Sequence, residues 1–215
     1  MLYLIFPFYF IQEGNGYIAN SVVSFTRDGR YLGKIKHRDF GCPRAVAINS
    51  RSEMFVADQQ KGCIFVFDRD GRKIRTIGKR GSTAPGEFNH PCHVCIGRNQ
   101  EVIVADQNNN RVQVFDTRGG ICEVVGHRFT RPCVCTTDAH GSLLVADGSN
   151  KISILSLNSS TPVRSPLIGM VESTDDKLRG PRGMAVDKNG SLYVCDVGNF
   201  CVKKFDYSDL IPQRL

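Results

Sequence analysis

Residues 91–106 read PCHVCIGRNQEVIVAD, and the same pattern recurs as PRAVAINSRSEMFVAD at 43–58, PCVCTTDAHGSLLVAD at 132–147 and PRGMAVDKNGSLYVCD at 181–196. In every copy the proline stands 15 residues before the closing aspartate, which is Asp58, Asp106, Asp147 or Asp196. An apolar alternation follows the proline, a polar turn interrupts it, and a second apolar run leads to the aspartate. Alternation with a period of two marks half-buried strands, and no 3.6-residue helical spacing competes with it.

A further alternation follows each aspartate: CIFVFD at 63–68, RVQVFD at 111–116, KISILS at 151–156 and CVKKFD at 201–206. Phe67, Phe115 and Phe205 lie nine residues beyond their aspartates and Leu155 lies eight beyond Asp147, so that copy carries a one-residue deletion. Asp68–Gly71 and Asp116–Gly119 then read as turns before the runs KIRTIG (73–78) and ICEVVG (121–126). The repeat length varies from 41 to 49 residues, all of it between the aspartate and the next proline. Loops absorb insertions and a strand core does not. Each unit therefore predicts four antiparallel strands, a to d, with a after the proline, b ending at the aspartate, c ending at Phe-Asp and d ending at glycine. One such sheet cannot hide both faces from water, whereas sheets stacked around an axis can. The expected fold is all-β, a β-propeller of about four nearly full blades plus one partial blade. In the partial blade, 14–19 (GNGYIA) reads as strand b and 22–25 as strand c, with strand a missing; at the other end 205–215 shows no clear strand d.

The chain has 215 residues and a net charge of +7, which suits a polyanionic or acidic partner. Nine cysteines at irregular spacing do not form a secreted disulfide framework and point to a reducing, cytoplasmic setting. Residues 1–12 stand apart from the repeat region, 13–215. Met1–Ile11 is apolar, too short to span a bilayer, broken by Pro7 and lacking a basic leader, so no membrane role is expected. One reading of it is intron sequence translated through a splice acceptor, with Glu13 opening the coding exon. Sequencing the transcript across that junction checks it.

The stretch VIVADQNNNRVQVFDTRGG at 102–120, with Asn109, Asn150 and Asn199 after their aspartates and Lys61 in the remaining copy, resembles NHL repeats. The connector TIGKRGSTAPGEFNHP at 76–91 is similar to the inter-blade linker of tripartite-motif NHL proteins. The resemblance covers about 14–207. It implies a six-bladed ring, here partial, and a domain that follows RING, B-box and coiled-coil modules in ubiquitin ligases or stands in RNA-binding repressors. None of those zinc-binding modules is in this sequence. WD repeats need a tryptophan, and the chain has none; the double glycine of kelch repeats is not found.

The four aspartates recur in every full copy, which argues for architecture: each caps its b–c turn by accepting backbone N–H groups. Cys92-His93-Val94-Cys95 lacks a second ligand pair, and on a regular strand 92 and 95 point to opposite faces, so no metal is expected. The histidines show no nucleophile partner. Some NHL-type propellers are lyases with zinc on central histidines, but those are secreted and disulfide-bonded. No catalytic residue, cofactor or small-molecule substrate is expected. Strand direction puts the d–a and b–c loops on one rim, with Arg38, Arg44, Lys61, Lys79, Arg80, His90, Arg111, His127, Arg128, Arg131, Lys151, Lys177, Arg179 and Arg182. Of these, Arg44, Lys61, Lys79, Arg80, His90, Arg111, Arg128, Arg131, Lys151 and Arg182 are the candidate binding residues. The opposite rim mixes signs. Such a basic rim suits single-stranded RNA, with Phe40, Phe88, Phe129 and Phe200 as the available stacking residues. The alternative partner is a protein substrate recruited to a ubiquitin ligase. A ring that leaves two blade faces uncovered is expected to be aggregation-prone in isolation.

Overall fold

The computed structural model describes residues 2–5, 9–10, 17–18, 21–26, 28–125, 129–157, 167–171 and 177–206. Within them the chain forms five antiparallel sheets of three or four strands, and each keeps its strands in chain order. The sheets are blades of a β-propeller. Blade 2 comprises Pro43–Ile48, Met54–Asp58, Cys63–Phe67 and Lys73–Ile77; blade 3 comprises Pro91–Ile96, Val102–Asp106, Arg111–Phe115 and Ile121–Val125. Blade 4 comprises Val134–Thr137, Ser142–Ala146, Ile152–Ser156 and Leu167–Val171. Blade 5 has three described strands, Pro181–Val186, Ser191–Asp196 and Cys201–Asp206.

Blade 1 departs from the sequence reading. Ser21–Phe25 and Tyr31–Lys36 are its two later strands, but the strand paired to Ser21–Phe25 is Leu2–Ile5. Tyr17–Ile18, expected in that position, pairs instead with Tyr9–Phe10. Local similarity of GNGYIA to a strand-b motif could not reveal this, because pairing is a long-range choice.

The blades are held by side chains that alternate along each strand. In strand b of blade 2, Met54 and Val56 pack toward blade 1 with Val22, Phe40 and Phe65, whereas Phe55 and Ala57 pack toward blade 3 with Val94, Val102 and Val104. Both faces are covered, so MFVAD is buried along its whole length, as is VIVAD at 102–106. The same logic joins blade 3 to blade 4 through Ile103, Ala105, Cys135 and Leu143, and blade 4 to blade 5 through Leu144, Ile154, Leu192 and Val194. Side chains make these joints, because no ladder links one described four-stranded blade to the next.

Blade 5 has one face that nothing covers among the described residues. Leu192 and Val194 are fully buried against blade 4, while their alternates Tyr193 and Cys195 are exposed, as is Val202 opposite Cys195 on the next strand, by 65%.

The first strand of blades 2, 3 and 5 carries a register shift just after its proline, at Pro43/Ala45, Pro91/His93 and Pro181/Gly183. The shift corrects one expectation. It turns Cys92 onto the side that Cys95 occupies, and both pack into the joint with blade 4.

Candidate binding rim

The connector before each strand a and the turn after each strand b meet on one rim. Gln59, Asn108, Gly148 and Gly198 donate backbone hydrogen bonds to the carbonyls of Cys42, Asn89, Thr130 and Arg179, at 2.9, 3.0, 2.6 and 2.6 Å. The aspartates sit beneath these bonds, nearly excluded from solvent. Asp58 accepts from the N–H groups of Gly41, Cys42 and Lys61 at 2.8, 2.9 and 2.9 Å. Asp147 accepts from Thr130 N at 2.8 Å and from Ser149 N and Oγ at 2.9 and 2.5 Å. Asp106 accepts from Asn89 N at 2.7 Å, and Asp196 from Arg179 N at 2.7 Å. Asp58 and Asp147 thus accept N–H groups of their own b–c turns, as expected, but Asp106 and Asp196 do not: their backbone donors come from the incoming connector, which corrects the sequence reading for those two.

Asn109 and Asn199 act alike: each amide donates to its aspartate, at 2.8 and 2.7 Å, and to a connector carbonyl, that of Gly81 or Lys177. Asn150 does not share that role. The deletion in its repeat moves it into the place of Asn110, in the left-handed region at φ 63° beside 53°. Asn110 and Asn150 each accept a hydrogen bond from the next blade's connector, from Arg131 N at 2.9 Å and Gly180 N at 2.8 Å. These latches between blades were not identified from sequence, although Asn in a b–c turn is a usable signal for the left-handed conformation.

The candidate cations divide into two groups. Arg44, Lys61, Lys79, Arg80, Arg131, Lys151 and Arg182 are exposed, as are Arg38, Lys177 and Arg179. Lys79 lies 3.7 Å from the Glu87 carboxylate, an exposed pair that leaves most of its surface in water. Arg111 is different and corrects the sequence reading. It is 8% exposed, its Nε donates to Asp106 at 2.9 Å, and its Nη2 donates to the carbonyls of Ala84 and Glu87 at 2.9 and 2.7 Å. Five residues beyond the aspartate, its strand position turns it under the connector. His90 is half-buried, adopts φ 60°, and its Nδ1 meets Asn89 Oδ1 and Asn108 Nδ2 at 3.1 and 2.9 Å. Arg128 and His127 lie outside the described residues.

Arg111 and Gln113 together hold the connector 81–88. Gln113 donates to Glu87 O at 2.8 Å and accepts from Gly86 N at 2.9 Å. The connector closes on itself through a two-residue parallel bridge, Lys79–Arg80 with Glu87–Phe88. Gly78 permits this fold: its φ is +72°, and a Cβ there would stand 2.3 Å from the Phe88 ring. The product is a pinned loop that carries Lys79 and Arg80 at the rim.

In the connectors and b–c turns, the exposed charged side chains among the described residues are cations apart from Asp39, whose side chain is 37% exposed and paired with Lys73. The opposite rim remains mixed, with Arg51 paired to Glu53 at 2.8 Å and Asp70 and Asp116 exposed beside Arg69, Arg72 and Arg118. Of the four aromatic candidates, Phe40, Phe88 and Phe129 are buried core residues, and Phe200 alone is exposed, by 95%.

Charge burial also sets an acid response. Burial pulls the Asp196 pKa up, but Arg179 N–H, the Asn199 amide and the Lys203 ammonium at 3.1 Å outweigh it and hold the carboxyl below its usual 3.8. Glu53 is held below 4.5 in the same way, its burial outweighed by Arg51, Asn49 and Arg75. Asp106 goes the other way, because burial raises it more than its hydrogen bonds lower it. Lowered groups favour the folded state above their unfolded pKa values and lose that contribution as pH falls through the folded ones. Thermal melts should therefore stay level from neutral pH to about 5 and decline below about 4, and Asp196→Asn should flatten the decline.

Among the described residues, no three His, Cys, Asp or Glu side chains are arranged to hold a metal ion, and no helix is long and apolar enough to cross a membrane.

Comparison with known proteins agrees with this architecture. Residues 40–141 match a family model described as a 6-bladed beta-propeller, and residues 178–205 match the NHL repeat. The mouse protein NHL-repeat-containing protein 4 is 33% identical over 84 residues, covering 39% of this chain and 56% of the relative. The match thus spans about half the length of that relative. A structure of the nidogen/laminin complex superposes with a TM-score of 0.70 at 20% identity, over 90% of this chain and 70% of that one. A protein of unknown function from Bacteroides caccae gives 0.61 at 20% identity, over 87% and 72%. Virginiamycin B lyase from Staphylococcus aureus gives 0.64 at 14% identity, over 89% and 64%. At such identities the likeness is one of fold. Sheets, joints and family matches together make this chain a β-propeller of antiparallel blades that carries NHL repeat sequence.

Proposed function

We propose that the chain is a non-catalytic binding platform whose cationic rim holds single-stranded RNA in the cytoplasm, in post-transcriptional control. The observation that carries the reading is the segregation of charge. The four turn aspartates are engaged beneath the surface while the rim's exposed charges among the described residues are cationic, save Asp39, which Lys73 pairs. Phosphates suit such a surface, and a strand with unpaired bases can follow its loops.

Phe200 adds a place for a base. It occupies the left-handed position that Asn110 fills in blade 3, at φ 54°. That conformation costs a bulky L-residue about 1–2 kcal/mol, and burial within the described chain does not offset it. Lys177, Arg179 and Arg182 on the same blade supply nearby positive charge. Stacking one base on Phe200 is worth about 1–3 kcal/mol, so Phe200→Ala should weaken a labelled oligouridine by about tenfold. Phe200→Asn, which suits the backbone, should weaken it equally without loss of stability. If both variants bind like the parent chain, Phe200 serves only to pack on a neighbouring blade.

The general test is a titration of short single-stranded RNA at several salt concentrations. Affinity should fall steeply with salt, and a duplex of equal length should bind less well. A flat salt response would remove the RNA reading. It would favour the second one, a protein-interaction module of a ubiquitin ligase, for which the nidogen/laminin complex offers a fold-level precedent.

A further inference from the structure

The joint between blades 3 and 4 contains chemistry that neither rim uses. Cys95 and Cys135 stand on the innermost strands of the two blades, with their sulfurs 3.6 Å apart. Cys135 is fully buried and Cys95 is partly exposed. His93, two residues before Cys95 on the same strand, places Nδ1 3.6 Å from the Cys135 sulfur and 3.5 Å from its backbone N. Two more cysteines lie close by, but their thiols are occupied. Cys92 donates to Pro132 O at 3.2 Å and Cys133 donates to Pro181 O at 3.0 Å, each reaching the next blade. Burial pushes the Cys133 thiol up to about 11 and the Cys92 thiol still higher; Cys135 is raised as well, by its hydrogen bond with Cys95 and by burial, but it alone of the three has His93 Nδ1 beside its sulfur to take the proton.

We propose that Cys95 and Cys135 form an oxidative modification site, in which a hydroperoxide converts the pair to a disulfide that joins blade 3 to blade 4. A disulfide needs sulfurs about 2.05 Å apart, so the pair must close by little more than an ångström and a half, within reach of side-chain rotation. Cys95 reacts first, because it is the partly exposed residue of the two. Its thiolate attacks the terminal peroxide oxygen, the O–O bond breaks, and a sulfenic acid and water (or an alcohol) result. The Cys135 sulfur then attacks the sulfenyl sulfur. An S–S bond forms, the S–O bond breaks, and hydroxide leaves as water with the proton given up by Cys135. His93, with its own proton on Nε2, accepts that proton at Nδ1 and passes it on. Two thiols and one hydrogen peroxide yield one disulfide and two water molecules, the sulfurs being oxidised and the peroxide reduced.

The position gives the bond a consequence. The two strands belong to separate sheets and no ladder joins them. A disulfide would add a covalent tie across that joint, beneath the turns that carry Asn110 and Arg131.

The test uses the purified chain, a few equivalents of hydrogen peroxide, alkylation of remaining thiols and non-reducing peptide mapping. The expected product is a 95–135 linkage, assigned by fragment ions, with a rise in Tm of several degrees that dithiothreitol reverses. Cys95→Ser should leave Cys135 alkylatable, and His93→Gln should let the sulfenic acid accumulate, visible by dimedone labelling. Since Cys135→Ser places a hydroxyl in a buried site, Cys135→Ala serves as the second variant and should drive Cys95 to the sulfinic acid. Three outcomes would overturn the proposal: sulfinic acid on Cys95 of the parent chain with Cys135 still free, a Cys92–Cys133 linkage instead, or no reaction at peroxide levels that oxidise an exposed thiol such as Cys201.

Discussion

Arg111→Ala will destabilise the chain by about 3–5 kcal/mol, the cost of breaking a buried ion pair from one side. The alanine removes the guanidinium that faces Asp106 at 2.9 Å and leaves that carboxylate buried with only neutral partners, Asn89 N, Asn109 and Gln113. It also strips the carbonyls of Ala84 and Glu87 of a donor. A single domain is typically stable by about 5–15 kcal/mol, so the loss is a large fraction of the total. Urea unfolding followed by far-UV circular dichroism measures it. Arg111→Lys keeps the charge but not the planar fork, and should fall between the two. Asp106→Asn should recover part of the loss in the double variant, because it removes the orphaned charge. If Arg111→Ala unfolds like the parent chain, the guanidinium is not held in this way and the residue belongs with the exposed rim cations. The variant carries a functional consequence as well. The connector 81–88 presents Lys79 and Arg80, so loosening it should weaken RNA binding even though Arg111 touches no ligand.

The second large effect is on binding and spares stability. Replacing Arg44, Arg80 and Arg131 together by glutamate should weaken single-stranded RNA by about a thousandfold near 0.1 M salt. The figure follows from about 1.5 kcal/mol for each charge-assisted hydrogen bond to phosphate, three of them giving about 4.5 kcal/mol, somewhat over three powers of ten. The slope of log K against log salt should flatten by about two, at about 0.7 per phosphate neutralised on a single strand. All three side chains are exposed, so unfolding should shift by no more than about 0.5 kcal/mol per site. The matched control is Arg51, Arg72 and Arg118 to glutamate on the opposite rim. That variant changes net charge equally and should leave most of the affinity, though it too lowers the long-range field. Equal losses from both triples would mean that net charge attracts RNA and the rim has no special part. Unchanged binding in the first triple would end the RNA reading outright.

Much of this was legible in the chain itself. The offset of 15 residues from proline to aspartate and the period-two alternation specify strands, turns and blade number, since each depends only on neighbours in sequence. The rim on which a loop lies also follows, because antiparallel strands return to the same edge. Which cations face solvent did not follow. Lys61 and Arg111 both come shortly after a strand-b aspartate, yet one is exposed and the other buried. The difference lies outside the turn: the connector 81–88 folds over Arg111 and offers it the carbonyls of Ala84 and Glu87. Similarly, Phe88 and Phe200 are both aromatic residues of this rim's loops, but Phe88 fills the joint between blades 2 and 3 and Phe200 is almost wholly exposed.

Sequence by itself determined the repeated sheet, its strand order and the two ends to which its loops belong. These are set by backbone periodicity and turn chemistry, which act over a few residues. Only the tertiary structure decided that Arg111 is a buried strut, that Leu2–Ile5 rather than Tyr17–Ile18 joins the first sheet, and that a bulge turns Cys92 to the side of Cys95. It alone brought Cys95 and Cys135 within 3.6 Å. Those outcomes depend on which surfaces from distant repeats come to share one dry interface, and close packing there leaves each side chain a single place to go.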